Sequence, residues 1–401
     1  MLSNKHSIHT ITVPEMRAIN RSSVIEYIRC IGPVSRSQIA GDLQISLATV
    51  KRIVGDLITD GWAQETGSKK WSGGRKRALV KFNGCDHLII GIDLGGTKIF
   101  GAVADFNGNI LYEMNFDHHQ SQAEESLHVV CQVIDELLFV AAQKALPVRG
   151  IGIGVPGITF PETGIVSLAP ALDWQEFPLK ARLLERYSYP IVIENDVNLA
   201  ALGEVWFGAG NIDGRNLVLF AIGTGIGAGV VIDGSIYSGA HHMAGEIGYL
   251  ILDRSQLGHR YPDFGAFEQV ASGTGIAERA RLVLAEYPRE QWDGLTAEAV
   301  FASARRHEIW AEAILSDTID YLAQAIAAIV LLYDPDTILL GGGVSRSVDL
   351  LIEPILKRLD GAIPIVPRLE VSRLGYRAAV MGAIIQILRI TSDYYIVTKY
   401  K

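Results

Sequence analysis

The sequence predicts an α/β body of two lobes preceded by a small α+β module of winged helix-turn-helix type. Three observations predict it. The first 83 residues are basic, with thirteen Lys or Arg against six Asp or Glu, whereas the remainder, with 23 basic and 38 acidic residues, is acidic. Two short helical patterns joined by a tight turn stand early in the chain, followed by two β-rich stretches around a glycine-rich basic run. From Cys85 onward apolar strands alternate with glycine turns, and a strand, glycine turn, strand, turn arrangement occurs twice, at 88–115 and 216–237. The expected division is 1–83 for the module, 86–200 for a first lobe and 201–401 for a second, with the last helix packing back on the first lobe.

With 401 residues, 49% of them hydrophobic and 20% charged, the chain can bury two or three cores and is not disordered. Its three cysteines (Cys30, Cys85 and Cys131) are far apart and odd in number, which argues against a disulfide framework and for a reducing compartment. No run of eighteen uncharged apolar residues and no signal-peptide pattern occurs, so the expectation is a cytoplasmic protein with no membrane partner. A small basic unit on a large acidic one suits a phosphate-binding module attached to a domain that does not bind nucleic acid. A solvated basic face is the plainer alternative.

In the module, Ser22–Cys30 reads as a helix with Val24, Ile25 and Ile28 on one face, broken by Gly32-Pro33. Ser35 and Gln38 have capping-box spacing before a short helix, Arg36–Leu43, with Ile39, Ala40 and Leu43 facing inward. Gln44-Ile45 turns the chain, and Ser46 caps a second helix from Leu47 to about Asp60. Its buried stripe is Leu47, Val50, Ile53, Val54, Leu57 and Ile58. The other face offers Ala48, Thr49, Lys51 and Arg52 beside the capping Ser46, types that reach base edges and phosphates from a major-groove helix. Strands at 61–65 and 78–82 flank a loop, 69–77, whose Arg75, Lys76 and Arg77 would grip the DNA backbone or minor groove as a wing. With Arg36, these are the expected DNA-binding residues. Such a module needs no cofactor to bind DNA.

In the large body, strands are expected at 87–92, 99–105, 110–115, 150–155, 191–193, 216–222, 228–232 and 337–340. Helices are expected at 123–145, from about Val197, at 311–332 and at 378–388. The turns Gly95-Gly96-Thr97 and Gly223-Thr224-Gly225 lack the Cβ atoms that would block backbone amides from phosphate oxygens. Two such turns facing a cleft would clamp a nucleotide and a substrate.

These pieces resemble the ROK family (repressors, open reading frames, sugar kinases), in its regulator subgroup with an N-terminal winged helix. The resemblance runs from Arg17 to about Leu388. It is carried by Arg36–Leu43 with Ser46–Gly61, Ser72-Gly73-Gly74-Arg75, Asp93–Lys98, Gly154-Val155-Pro156-Gly157, Glu194-Asn195-Asp196-Val197-Asn198, Gly223–Gly227 and Ala244-Gly245-Glu246-Ile247-Gly248. It implies an actin/hexokinase-like ATPase fold. By the same resemblance Asp196 is the base that would deprotonate a sugar hydroxyl, while Asn195, Glu246 and Glu268 hold sugar hydroxyls. Asp93 would organise the metal of Mg-ATP. Gly95, Gly96, Thr97, Lys98, Gly223, Thr224, Gly225 and Gly342 would line its phosphates. Each has a plainer role to set beside this: Asp196 as a helix cap, Glu246 as a surface acid, Gly341–Gly343 as a tight turn.

One segment departs from the family. Its members usually hold a structural zinc with one His and three Cys, and the four matching positions here are Tyr249, His259, Tyr261 and Ala266. That set cannot give zinc its four N, S or O ligands, so no structural zinc is expected. Tyr249 would replace the imidazole that touches the sugar with a phenol donor, or simply fill its volume, and Tyr249, Tyr261, Phe264 and Phe267 would form an aromatic, metal-free cluster. Trp174 would add an aromatic wall to the sugar site, with core packing the favoured plainer reading for it and for each of these aromatics. The resemblance implies a regulator, most simply a repressor of carbohydrate-metabolism genes. It would bind operator DNA as a homodimer or higher homo-oligomer and respond to a sugar or sugar derivative. The alternatives are an ATP-dependent kinase for a hexose or N-acetylhexosamine, and a DNA-tethered scaffold with a dead pocket.

Overall fold

A computed structural model describes residues 12–70, 77–117, 122–208, 216–261, 265–285 and 294–392. The module opens with α1 (Val13–Ile31), longer than the expected 22–30 because Thr12 and Glu15 close a reciprocal capping box about two and a half turns earlier. β1 (Val34–Ser35) leads into α2 (Arg36–Asp42), where Ser35 accepts the Gln38 amide as its spacing predicts. Ser46 caps α3 (Leu47–Thr59) by accepting the Thr49 amide at 3.1 Å. Val50, Ile53, Val54 and Leu57 are buried, but Leu47 is 41% exposed: it sits on the first helical turn, beyond the edge of the core. β2 (Ala63–Lys70) and β3 (Arg77–Phe82) make the hairpin, with β1 on its other edge. Lys69 and Lys70 therefore belong to a strand and not to the loop, of which 71–76 lie outside the described residues.

The two lobes repeat one topology. The first sheet has the order β11-β7-β4-β5-β6, from β4 (Leu88–Leu94), β5 (Lys98–Asp105), β6 (Ile110–Asp117), β7 (Val148–Val155) and β11 (Ile191–Asn195). The second has the order β14-β13-β12-β15-β16, from β12 (Leu217–Ile222), β13 (Ile226–Ile232), β14 (Ser235–Ile236), β15 (Thr337–Gly341) and β16 (Arg368–Val371). In each, three antiparallel strands are extended by two parallel ones on the same side. This is the mixed α/β architecture expected of the actin/hexokinase-like fold.

Helix α4 (Ala123–Ala142) packs on one face of the first sheet and α12 (Ala378–Thr391) on the other, where Gly91 and Gly152 let Val380 and Ala383 approach the strands. Helix α6 (Asp196–Phe207) lies between α12 and the second sheet. The far side of the second lobe is helical: α8 (Gly273–Val283), α9 (Ala297–Arg305), α10 (Ile309–Tyr333) and α11 (Ile352–Leu359). α10 is long and apolar enough to span a membrane, yet it is half buried among these helices, and its Asp317 and Asp320 pair with Arg279 and Arg358. A small sheet of β8 (Ile158–Phe160), β9 (Ile165–Ala169) and β10 (Trp174–Phe177) hangs from the first lobe.

The module docks on the body through a continuous apolar cluster running from Val24, Ile28 and Leu57 to Phe106, Ile384 and Leu388. At its centre the Trp62 ring stands edge-on to Phe106 at 5.1 Å and against His87 at 4.7 Å. Arg149 donates to His87 Nδ1 at 3.1 Å, so Nε2 carries the hydrogen that reaches Gly61 O at 2.9 Å. Burial and the Arg149 charge hold this imidazole below its ordinary pKa, in keeping with a neutral ring.

Candidate ligand cleft and DNA-facing helix

The carboxylates of the cleft come two from each lobe. Parallel pairing aligns Asp93 with Gly154, Gly154 with Glu194, and Val155 with Asn195, so Asp93 and the start of α6 meet at the carboxyl ends of neighbouring strands. In open α/β sheets that is where ligands bind. Asn195 caps α6: its Oδ1 accepts the Asn198 amide at 2.9 Å and its Nδ2 donates to Gly157 O at 3.0 Å. Its side chain is thus largely committed to the fold. Asp196, one residue on, accepts the Val197 amide at 2.9 Å through Oδ1. Its place inside the helix, with Asn195 as the cap, removes the simple capping role set against it.

The second lobe supplies Glu246, ahead of the 3-10 turn Ile247–Tyr249, and Glu268, the first residue of α7 (Glu268–Ala271). Glu268 Oε1 accepts the Ile226 amide at 2.9 Å and so braces the turn joining β12 to β13. The charge of Asp196 acts on Asp93 and on Glu246, and that of Glu268 acts on Glu246. Burial, joined by the charge of Asp196, pushes Asp93 up, and burial pushes Asp196 up. Glu246 is pushed up to about 7 by burial and by the charges of Asp196 and Glu268. Burial also raises Glu268 against its bond from Ile226. Tyr249 is 42% exposed, and burial with the charges of Glu246 and Glu268 raises its phenol, which places it beside both acids. A neutral hydroxyl that needs both donors and acceptors suits a surround of carboxyls held above their ordinary pKa better than an anion does.

The glycine turns differ in their room. A Cβ on Gly96 would meet Ala171 Cβ at 2.8 Å, and Gly95 donates across its own turn to Lys98 O at 2.9 Å, while Thr97 and Lys98 are exposed. Gly223 has nothing within 4 Å of where a Cβ would lie, and Thr224 is exposed. The α8 start closes the base of this turn, with the Gly273 amide donating to Gly223 O at 2.8 Å and Thr274 to Thr224 O at 3.0 Å. Gly342, at φ +78, follows β15, the strand paired with β12 on that side. The Gly223–Gly225 turn is therefore open at Gly223 and closed at Gly225, where a Cβ would lie 2.0 Å from Glu268 Oε1.

Several expectations fail here. Trp174 is 1% exposed, stacks on Phe177 at 4.6 Å and donates Nε1–H to Ala123 O, so it is core and not a wall of the site. Phe267 is fully buried, with its ring centroid 6.2 Å from that of Phe220 in the second lobe's core, and Phe264 lies outside the described residues. Among the described residues no group of three or more His, Cys, Asp or Glu could hold a metal ion, and Tyr249, His259, Tyr261 and Ala266 lack the donors zinc needs. Two residues went unread in the sequence. His242, at φ +53, reaches from the second lobe to the β8–β9 hairpin, with Nε2 3.5 Å from Glu162 and its ring edge-on to Phe160 at 4.8 Å. Glu204 is the other: fully buried on α6, it accepts from Ser372 Oγ at 2.6 Å and the Leu374 amide at 2.7 Å.

On the module, α3 turns Ala48, Lys51 and Arg52 to solvent. Arg52 pairs with Asp56 at 3.2 Å, the Thr49 hydroxyl bonds Ser46 Oγ at 2.8 Å, and Arg36 pairs with Glu65 at 2.8 Å. Arg75 and Lys76 lie outside the described residues, and Arg77 opens β3.

Residues 89–389 match the model of the ROK family. The chain belongs to the ROK family. It is 32% identical over 387 residues to a putative xylose repressor of Caldicellulosiruptor sp. (strain Rt8B.4), covering 93% of this chain and 96% of that one. A crystal structure of a ROK family transcriptional regulator, a homologue of the E. coli Mlc protein, superposes with a TM-score of 0.82 at 25% identity, over 94% of this chain and 97% of that one. A ROK family glucokinase from Streptomyces griseus, in complex with glucose and AMPPNP, matches at 28% identity and TM-score 0.65. It covers 75% of this ROK chain and 98% of its own length. The repressor matches head to tail, whereas the kinase accounts for three quarters of the chain.

Proposed function

We propose that this ROK protein is a sugar-responsive, DNA-binding transcriptional repressor of carbohydrate-metabolism genes. The observation that carries it is a capped recognition-type helix whose core is continuous with that of the two-lobed body, the body itself bearing a cleft of four acids. Lys51, Arg52 and Ala48 on α3 are the base- and phosphate-facing residues, and a homodimer would read two half-sites. Glu246, Glu268, Asp196 and Tyr249 hold the effector, for which the xylose repressors make D-xylose the first sugar to try. Duplex DNA from upstream of its own gene should bind with an affinity that falls steeply with salt, and D-xylose or another pentose or hexose should change that affinity. Binding that is indifferent to salt and to every sugar tried would end this reading.

A second reading, an ATP-dependent sugar kinase, is favoured by the open cradle at Gly223 together with Asp196. In it Asp196 would take the hydroxyl proton, Glu246 and Glu268 would orient the sugar, and Asp93 would face the metal of Mg-ATP, which supplies the phosphoryl group. ADP release with D-glucose, D-xylose or N-acetyl sugars that is no greater than in Asp196→Asn would remove it.

A further inference from the structure

Helix α6 touches both ends of the molecule's business. Its first residue, Asp196, stands at the cleft, and its last turn brings Trp206 to α1 of the DNA-facing module while Phe207 packs at the β5–β6 turn of the first lobe. Twelve residues of helix span about 18 Å. At the far end the Arg29 guanidinium of α1 lies 4.3 Å from the centre of the Trp206 ring, steadied by two bonds of 3.0 Å to Glu26. The Phe207 ring sits where a Cβ on Gly108 would come within 2.8 Å of it.

Between these ends α6 cannot flex easily. A Cβ on Gly203 would stand 2.2 Å from Ala378 O and one on Gly382 1.9 Å from Leu199 O, so the backbones of α6 and α12 touch. On its opposite side α6 meets β13, where a Cβ on Gly229 would lie 2.4 Å from Val197 O. Glu204 ties the helix to 372–374, the segment that leads into α12. α12 in turn ends at α1, where Arg21 donates to Ser392 O at 3.2 Å and pairs with Asp60 at 2.7 Å. Packed backbones shift as bodies and do not bend.

We propose that α6 is the mechanical link between the cleft and the DNA-facing module, with Trp206 on Arg29 as its output contact and Glu204 as the anchor that sets its position. The proposal rests on the regulator reading above and adds the route by which the two sites would be coupled. Val24, Ile25 and Ile28 of α1 share a core with Val50, Ile53, Val54 and Leu57 of α3, so a displaced α1 carries the recognition helix with it.

Amide hydrogen exchange on the full chain tests it, with D-xylose added at one end or upstream duplex DNA at the other. In wild-type protein D-xylose should slow exchange several-fold in the first turn of α6 and also alter it in α1. In Trp206→Leu, and in Arg29→Met should the first variant fail to fold, the change at α6 should persist while that in α1 falls to less than about a third. An α1 response undiminished in whichever variant folds, or absent from wild type while the cleft is protected, overturns the proposal. If D-xylose changes nothing anywhere, the choice of effector is wrong and the DNA arm decides. Duplex that protects α3 should then alter the first turn of α6 in wild type and not in the variants, and an equal response in all three overturns the link.

Discussion

The two lobes are built on one strand order, yet they grip the cleft differently. The first holds its acids on regular structure, Asp93 within β4 and Asp196 within α6, and its glycine turn is filled by Ala171 and Lys98. The second holds Glu246 and Glu268 on a 3-10 turn and a one-turn helix, and its glycine turn is open at Gly223 and braced at Gly225. The repeat supplies a frame; the two halves then fill it differently, with acids fixed on regular elements in one and acids on short turns beside an open glycine turn in the other. The absent zinc donors fall in that second half, where Glu268 and its bond to Ile226 carry the bracing.

The largest effect that could break this contrast is electrostatic. The cleft acids keep protons in the folded chain that the unfolded chain releases, so fewer protons are bound on unfolding and stability falls as pH rises. For Glu246, moved from its ordinary value to about 7, the loss between about pH 5 and about pH 8 is roughly 2–3 kcal/mol. His87, held low, has the opposite slope below about pH 6.5, so the quantity to measure is the difference between wild type and Glu246→Gln. Urea midpoints should converge at low pH and separate at high pH, with the variant the more stable. Parallel curves would mean that Glu246 is solvated and the second lobe's acids are not under strain.

Next in size is Gly225→Ala. The new Cβ would fall 2.0 Å from Glu268 Oε1, which must swing away and give up the Ile226 amide. The expected cost is about 2 kcal/mol, with loss of any sugar-induced thermal shift. Gly96→Ala should cost less, about 1 kcal/mol, because its methyl meets only the Ala171 methyl at 2.8 Å and the Pro170–Leu172 turn can yield slightly. If the two variants unfold at the same temperature, the bracing assigned to Glu268 is wrong.

Much of this was legible in the sequence, for a physical reason. Helices of ten or more residues with apolar stripes, buried strands and glycine turns announce themselves locally, whereas Asp93, Asp196, Glu246 and Glu268 were singled out by the family resemblance and not by any local pattern. The small β8–β10 sheet was not legible, since strands of three to five residues show no period. Trp174 misled for a related reason: its burial is decided by Phe177 and by Ala123 O, which lies 51 residues away. His242 and Glu204 act through partners on distant segments, Glu162 and Ser372, and no local pattern marks them.

The smallest predicted change is the most discriminating. Gly223→Ala adds a methyl where nothing lies within 4 Å, at a backbone conformation any residue adopts. Folding stability should therefore stay within about 0.5 kcal/mol of wild type, or rise slightly as the unfolded chain loses freedom. The same methyl projects into the space where phosphate oxygens would approach the turn, so any thermal stabilisation by Mg-ATP should shrink while that by D-xylose survives. Loss of more than about 1 kcal/mol of stability would mean the turn is closed in solution, like its counterpart in the first lobe. A wild-type protein that Mg-ATP never stabilises would leave the open turn without a nucleotide role, and the cleft as a sugar sensor alone.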